Sequence, residues 1–261
     1  MSLFLNLNII LNSVYKKRKM KVIKLDAIDS TNEFLKGLSS RQDLENFTIV
    51  TANRQTKGKG QMGAIWASEA GKNLTISILV KDFINNINQI FDLNILVSVS
   101  VIEVLESLNI PNLSIKWPND IMSDNKKIGG ILIENSIKSD GSINSVVGLG
   151  LNVNQTNFSN LPRASSLAVI CDRQFDRDKL LQSIGSAVEK NIIIWKSRSS
   201  LFNSRYRNYL FKVGVPMPFE DHNGIKFMGI IQSVSNIGKL EILIEDDSIV
   251  EFDIKEVKML F

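Results

Sequence analysis

The sequence predicts an α+β fold in two unequal parts, and two observations carry that prediction. Strand-like runs and helical apolar stripes share residues 20–210. Short strand-like runs without a helical stripe fill residues 211–261. Glycines also interrupt two strand-like runs of the larger part, at Gly129 and Gly130 and at Gly148 and Gly150.

Taken in order, residues 22–25 read as a short strand. Ser30 and Glu33 then have the spacing of a capping box, so a helix starts there. Residues 47–52 read as a buried strand, 58–63 as a glycine-rich turn, and 74–80 (LTISILV) as a strand rich in β-branched residues. Leu93, Leu96, Val97, Val101, Val104, Leu105 and Leu108 keep helical spacing and mark a long core helix. Residues 127–134 and 145–153 read as two strands joined at Asp140-Gly141, a hairpin-turn pair. Leu180, Leu181, Ile184, Val188, Ile192 and Trp195 form a second helical stripe, and residues 201–210 a third. Beyond 211, Pro216, Pro218 and Gly224 punctuate strand-like runs at 226–233, 240–245 and 249–253, the pattern of a small barrel.

Charge and composition limit the function classes. Of 261 residues, 31 are Lys or Arg and 27 are Asp or Glu, giving a formal net charge of +4. The excess is local: Lys16, Lys17, Arg18 and Lys19 stand in a leader (1–19) with no acid, and without them basic and acidic residues are equal in number. A nucleic-acid partner is therefore not expected from charge. The leader's apolar stretch precedes its basic residues, the reverse of a secretory signal, and is too short to span a bilayer. A cytoplasmic protein is expected, with no membrane partner and with residues 1–19 outside the fold. The single cysteine, Cys171, excludes an internal disulfide, and the single histidine, His222, weakens any triad or His-ligated metal site. Chemistry must rest on Lys, Arg, carboxylates, amides and backbone groups.

Three segments could carry it. In QTKGKGQMGAIW (55–66), glycines 58, 60 and 63 have dinucleotide-site spacing, but a strand follows where that motif needs a helix, and the Lys-Ser/Thr of a phosphate loop is missing. What remains is a loop of backbone N–H groups with Lys57 and Lys59 that could wrap an anion, or a plain surface hairpin. In KWPND (116–120), Lys116 leaves an apolar run beside an amide and a carboxylate, a place to neutralise a phosphate or carboxylate, or a Trp-capped turn with a solvated Lys. KKIGGILIE (126–134) and GLGLNVN (148–154) place two glycines in each of two strands, which suits a ligand lying across a sheet or tight packing alone.

Together these segments resemble the biotin protein ligase family over nearly the whole chain from Met20: Ser30-Thr31-Asn32, the loop from Gln55 to Trp66, KWPND, KKIGGILIE, GLGLNVNQ from Gly148 and Lys255-Glu256. The resemblance implies a catalytic domain (20–210) with a mixed sheet, like that of class II aminoacyl-tRNA synthetases, and an SH3-like C-terminal domain (211–261). It implies activation of biotin by MgATP to biotinyl-5′-AMP, then transfer to a lysine of a biotin carboxyl carrier domain. Lys116 would be catalytic, bridging biotin carboxylate and phosphate. Ser30, Thr31, Asn32 and Gln55 would bind the ureido ring, and Gly129 and Gly130 would let the strand approach the fused rings. Lys59, Gly60, Gln61 and Trp66 would cover the adenylate, while Asn119, Asp120 and Asn152 would serve the nucleotide, with Mg²⁺ near Asp120 and no dedicated metal cage.

The chain departs from the family where many members read GRGRRGR: Lys59 replaces the first Arg, Gln61 and Met62 the next two, and Ala64 the last. Lys keeps a point charge and loses the bidentate fork. Fewer than thirty residues precede Ser30, too few for the winged helix of repressor-type members, so DNA-binding repression is not expected. The nearest alternative is a lipoate or octanoate ligase of the same fold, and a non-catalytic module is the alternative from another class. Monomer and homodimer both stay open.

Overall fold

The computed structural model describes residues 20–86 and 89–260; the expectation for 1–19 lies outside those residues. A seven-stranded sheet forms the larger part. β1 (Val22–Ile28) and β2 (Ile49–Gln55) are parallel neighbours linked by helix α1 (Thr31–Arg41). β3 (Leu74–Lys81), β4 (Leu113–Lys116), β5 (Asp120–Ser123), β6 (Lys126–Ile137) and β7 (Ile143–Leu151) complete it in the order β1-β2-β3-β7-β6-β5-β4, with every other pairing antiparallel. The sheet is therefore mixed, as expected.

Its two faces are covered differently. α2 (Ile90–Ser107) and α4 (Arg177–Asn208) pack on one face, where Ile76, Leu149, Leu151 and Ile131 join Leu93, Leu96, Leu180 and Ile184 in the main core. α1 covers part of the other face through a small cluster of Leu35, Leu44, Val50, Leu79 and Val146. The rest of that face carries the cavity described below. β6 and β7 meet at Asp140-Gly141, where Ser142 N and Oγ both bond Asp140 Oδ1 and Gly141 adopts φ +81°.

The structure joins the second and third expected helical stripes in α4, whose residue Arg198 has non-helical angles (φ −139°, ψ 18°). Ser197 Oγ donates to Ile194 O at 2.9 Å just before that kink, a side chain competing with the helix backbone. The capping box is half formed: Ser30 Oγ accepts from Glu33 N at 3.4 Å, while the Glu33 carboxylate is engaged by two lysines. The sequence reading did not anticipate β5, the five-residue helix α3 (Leu167–Cys171), or the strands Pro216–Asp221 and Val257–Met259. Each is too short for a periodic pattern to emerge.

The chain leaving α4 pairs with β4 before entering the second sheet: Ile115 N donates to Tyr209 O (2.7 Å) and Phe211 N to Ile115 O (2.9 Å). Five antiparallel strands follow, β8 (Pro216–Asp221), β9 (Lys226–Val234), β10 (Leu240–Ile244), β11 (Ile249–Phe252) and β12 (Val257–Met259), ordered β11-β10-β9-β8-β12. Phe219, Phe227 and Phe252 stack at centroid spacings of 5.6 and 5.7 Å inside this small β domain. Among the described residues, no helix is long and apolar enough to cross a membrane.

Candidate active site

β-sheet register aligns one row of residues across five strands. Lys116 faces Asp120, Asp120 faces Gly130, Gly130 faces Gly150, and Gly150 faces Thr75. Directly opposed residues share a face of the sheet, so the row has charge at one end, two glycines in the middle and a hydroxyl at the other end. A second row, Leu132–Gly148–Ser77, lies alongside it on the same face. The intervening residues Ile131, Leu149 and Ile76 point into the main core. Along these two rows the strands turn apolar side chains toward the core and, apart from Leu132, none to the other side, leaving a cavity of about 250 Å³.

The start of α1 forms one wall. Thr31 N and Oγ1 donate to Gln55 Oε1 at 2.8 and 3.0 Å. Ser77 Oγ, on the sheet beneath, stands 2.8 Å from Thr31 Oγ1 and 2.6 Å from Asn32 Oδ1. Asn32 Nδ2 donates to Leu132 O (3.2 Å) and Glu134 Oε2 (3.0 Å), and Lys36 Nζ donates to the other oxygen of Glu134 at 2.9 Å. Helix capping and site building coincide at Ser30, which is buried with Thr31 and Asn32 although all three are polar.

The glycine-rich loop forms the lid-side wall. It is a small hairpin: Lys59 pairs with Ile65, Gly60 N donates to Ala64 O (2.7 Å) and Trp66 N to Gly58 O (2.9 Å). Two ion pairs tie it to the segment that starts α1, Lys57 with Asp29 and Lys59 with Glu33, both at 2.8 Å. Hydrogen bonds from Lys59 and then Lys36 hold the Glu33 carboxyl below the usual carboxylate range. The hairpin tip is apolar, with Ile65 85% exposed.

Trp66, at the hairpin's end, lies over the glycines. A methyl on Gly150 would sit 2.3 Å from its Cε2, and one on Gly130 3.5 Å from its Cζ3. Lys127 Nζ stands 5.7 Å from the ring centroid and pairs with Asp120 at 2.6 Å. The Trp66 indole N–H is buried and lacks a hydrogen-bond partner among the described residues, a donor that a bound ligand would satisfy.

Of the residues singled out by sequence, Ser30, Thr31, Asn32, Gln55, Lys59, Gly60, Gln61, Trp66, Asn119, Asp120 and Gly130 line the cavity. Three do not. Lys116 ends β4 at the edge of the row, and burial pulls its ammonium below the usual lysine range; Asp120 opposes that shift, and Lys127 and Arg163 add to it. Gly129 faces the opposite side, where a methyl would meet Gly150 O at 3.0 Å and Leu151 Cδ1 at 3.2 Å. Asn152 uses its amide to donate to Ser165 O at 3.0 Å, bracing a loop. Asn119 Nδ2 likewise donates to Ile131 O at 2.6 Å. Sequence reasoning passed over Ser77, Thr75, Lys36 and Glu134; the polar residues at alternate positions of LTISILV were the available signal for the first two.

Among the described residues no group of three or more His, Cys, Asp and Glu could hold a metal ion. The cavity instead offers neutral amide and hydroxyl groups on the α1 wall, Asp120 with Lys127 on the sheet, and Lys59 on the hairpin. It suits a ligand with an uncharged polar head and an anionic tail.

All the cavity residues fall between positions 30 and 150. Residues 25–152, just under half of the chain, match the model of the biotin/lipoate A/B protein ligase family. The chain is 30% identical over 194 residues to the bifunctional ligase/repressor BirA of Bacillus spizizenii, a match covering 72% of this chain and 54% of that protein, so the chain spans about half the relative's length. It is 26% identical over 215 residues to the biotin--[acetyl-CoA-carboxylase] ligase of Mycobacterium tuberculosis, covering 81% and 79%. Among solved structures, the biotin protein ligase from Aquifex aeolicus in complex with biotin and ATP superposes with a TM-score of 0.76 at 28% identity, covering 92% of this chain and 98% of that one.

Proposed function

We propose that this protein is an ATP-dependent biotin protein ligase that acts in the cytoplasm on a biotin carboxyl carrier domain. The observation that carries the proposal is the row Lys116–Asp120–Gly130–Gly150–Thr75, whose glycines make room on the sheet face for the Trp66 indole beside a bicyclic head and whose lysine gives the carboxylate a cationic end. A solved structure similar to this chain holds biotin with ATP.

In the first half-reaction a carboxylate oxygen of biotin attacks the α-phosphorus of ATP, forming the acyl–phosphate bond and releasing pyrophosphate. Two anions must meet, and Lys116 offsets their repulsion from a partly buried position where charge acts strongly. The ureido ring hydrogen-bonds with Ser30, Thr31, Asn32 and Gln55, the last three of which are already held in one network through Ser77. Lys59, Gly60 and Gln61 close over the adenylate and exclude water from a hydrolysable anhydride. Asp120, a single carboxylate on the cavity wall, fits Mg²⁺ bound chiefly through substrate phosphates, which supplies charge neutralisation at the triphosphate. In the second half-reaction the amine of the carrier lysine attacks the carbonyl carbon and AMP leaves.

ATP–pyrophosphate exchange with biotin, lipoate and octanoate run in parallel tests this reading. Exchange dependent on biotin alone is expected. Exchange with lipoate or octanoate and none with biotin would move the protein to the other branch of the family.

A further inference from the structure

The strand that carries Lys116 is short and lies at the edge of the sheet, with β5 as its single sheet neighbour. Two attachments from the C-terminal part hold its outer side. The segment leaving α4 brackets Ile115 through the main-chain bonds from Ile115 N to Tyr209 O and from Phe211 N to Ile115 O. One residue beyond Lys116, the Trp117 indole Nε1 donates to Gly238 O at 2.8 Å. Trp117 is 6% exposed, so that bond satisfies a donor with little access to water.

Gly238 belongs to the turn between β9 and β10 and is confined twice. Its φ of +91° is strained for any side chain, and a methyl there would approach Phe91 Cδ2 to 2.7 Å. Phe91 in turn meets Tyr206 of α4 edge to face at 5.7 Å. The turn therefore rests on α2 and α4 and presents its carbonyl to Trp117 from a fixed place.

We propose that Trp117 is a positioning residue through which the second sheet holds Lys116 opposite Asp120. The proposal rests on the activity proposed above for the role of Lys116, and its structural half stands independently. Trp117 is not among the residues that line the cavity, so its loss moves the cation without altering the head-group pocket. A displacement of about 1 Å near reacting groups costs up to about 100-fold in rate.

The test uses the full chain and Trp117→Phe, which keeps an aromatic ring in the core and removes the N–H. Biotin-dependent ATP–pyrophosphate exchange is expected to lose about tenfold or more in kcat, with KM for biotin within about twofold of wild type. Gly238→Ala, which displaces the turn, is expected to give the same split. Amide hydrogen exchange over residues 113–121, measured without substrate, is expected to rise in both variants relative to β3 and β7. Wild-type kcat in a folded Trp117→Phe protein, or parallel changes in kcat and KM, would overturn the proposal, as would unchanged protection over 113–121. A wild-type protein that activates none of the three acids would overturn the functional reading instead, and the protection data would still decide whether the anchor exists.

Discussion

The indole of Trp66 occupies the place where any side chain at residue 150 would have to go, with its Cε2 2.3 Å from the position of a Cβ on Gly150. The glycines of the site therefore differ in what they permit. Gly150→Ala is expected to expel the ring from the sheet face and reduce biotin binding at least tenfold by calorimetry, with a changed tryptophan emission. Gly130→Ala, whose methyl meets Lys127 Cε at 3.4 Å and Trp66 Cζ3 at 3.5 Å, should cost much less. Gly129→Ala meets backbone on the opposite face and should lower the unfolding midpoint more than it changes biotin affinity. Equal effects of all three on binding would contradict this geometry.

Lys116→Ala is expected to lower biotin-dependent ATP–pyrophosphate exchange at least about 100-fold, the scale of removing one preorganised electrostatic contact. Exchange near the wild-type rate would remove Lys116 from the mechanism.

The same ammonium works against stability. Burial depresses its folded pKa below that of the unfolded chain, so the unfolded state binds the proton more tightly. Stability from this group is lowest at neutral pH and is recovered as pH rises from the depressed value to the ordinary lysine value of 10.5. Lys116→Met should therefore raise the thermal midpoint at pH 7 while abolishing exchange, and the gain should shrink toward pH 10.5. A midpoint unchanged or lowered at pH 7 would contradict it.

Ser77 lies under Thr31 and Asn32 and away from the charged end of the row. Ser77→Ala leaves their oxygens with one partner fewer in a buried place. KM for biotin is expected to rise about tenfold, equivalent to about 1.4 kcal/mol, with kcat within about twofold. Steady-state exchange kinetics check this, and a fall in kcat alone would argue against a head-group role.

The Lys59–Glu33 tether should fail only in acid. Its lysine partners lower the folded pKa of Glu33 below the ordinary 4.5, so its contribution is present above 4.5 and lost as pH falls through the depressed value. The pair is partly exposed, and an effect of a few-fold is expected. Glu33→Gln should speed tryptic cleavage after Lys57 and Lys59 at pH 7.5 relative to wild type; equal cleavage rates would show that the hairpin holds without the tether.

Much of this site was legible in the sequence because its determinants are local. GLGL at 148–151 alternates glycine with leucine, and a strand converts that alternation into one bare face and one core face. The place of Lys116 at a strand end was legible because a charged residue ended an apolar run. The network joining Ser77, Asn32, Glu134, Lys36 and Glu33 was not, since it is assembled from β3, α1 and β6, and nothing in one segment announces its partner in another. The same holds for Trp117 and Gly238, which lie 121 residues apart. Gly129 and Gly130 looked alike as neighbours, and only the pleat separates them.

The alternation on β6 and β7 makes correct folding and a usable cavity a single outcome. A slip of one residue between these strands and β3 would turn Leu149 and Leu151 toward the cavity and Gly148 and Gly150 toward α2 and α4. The pocket would be filled and the core hollowed by the same error. A misregistered protein could not persist as a well-packed but idle copy, because the mistake that disables it also removes the packing that would keep it folded.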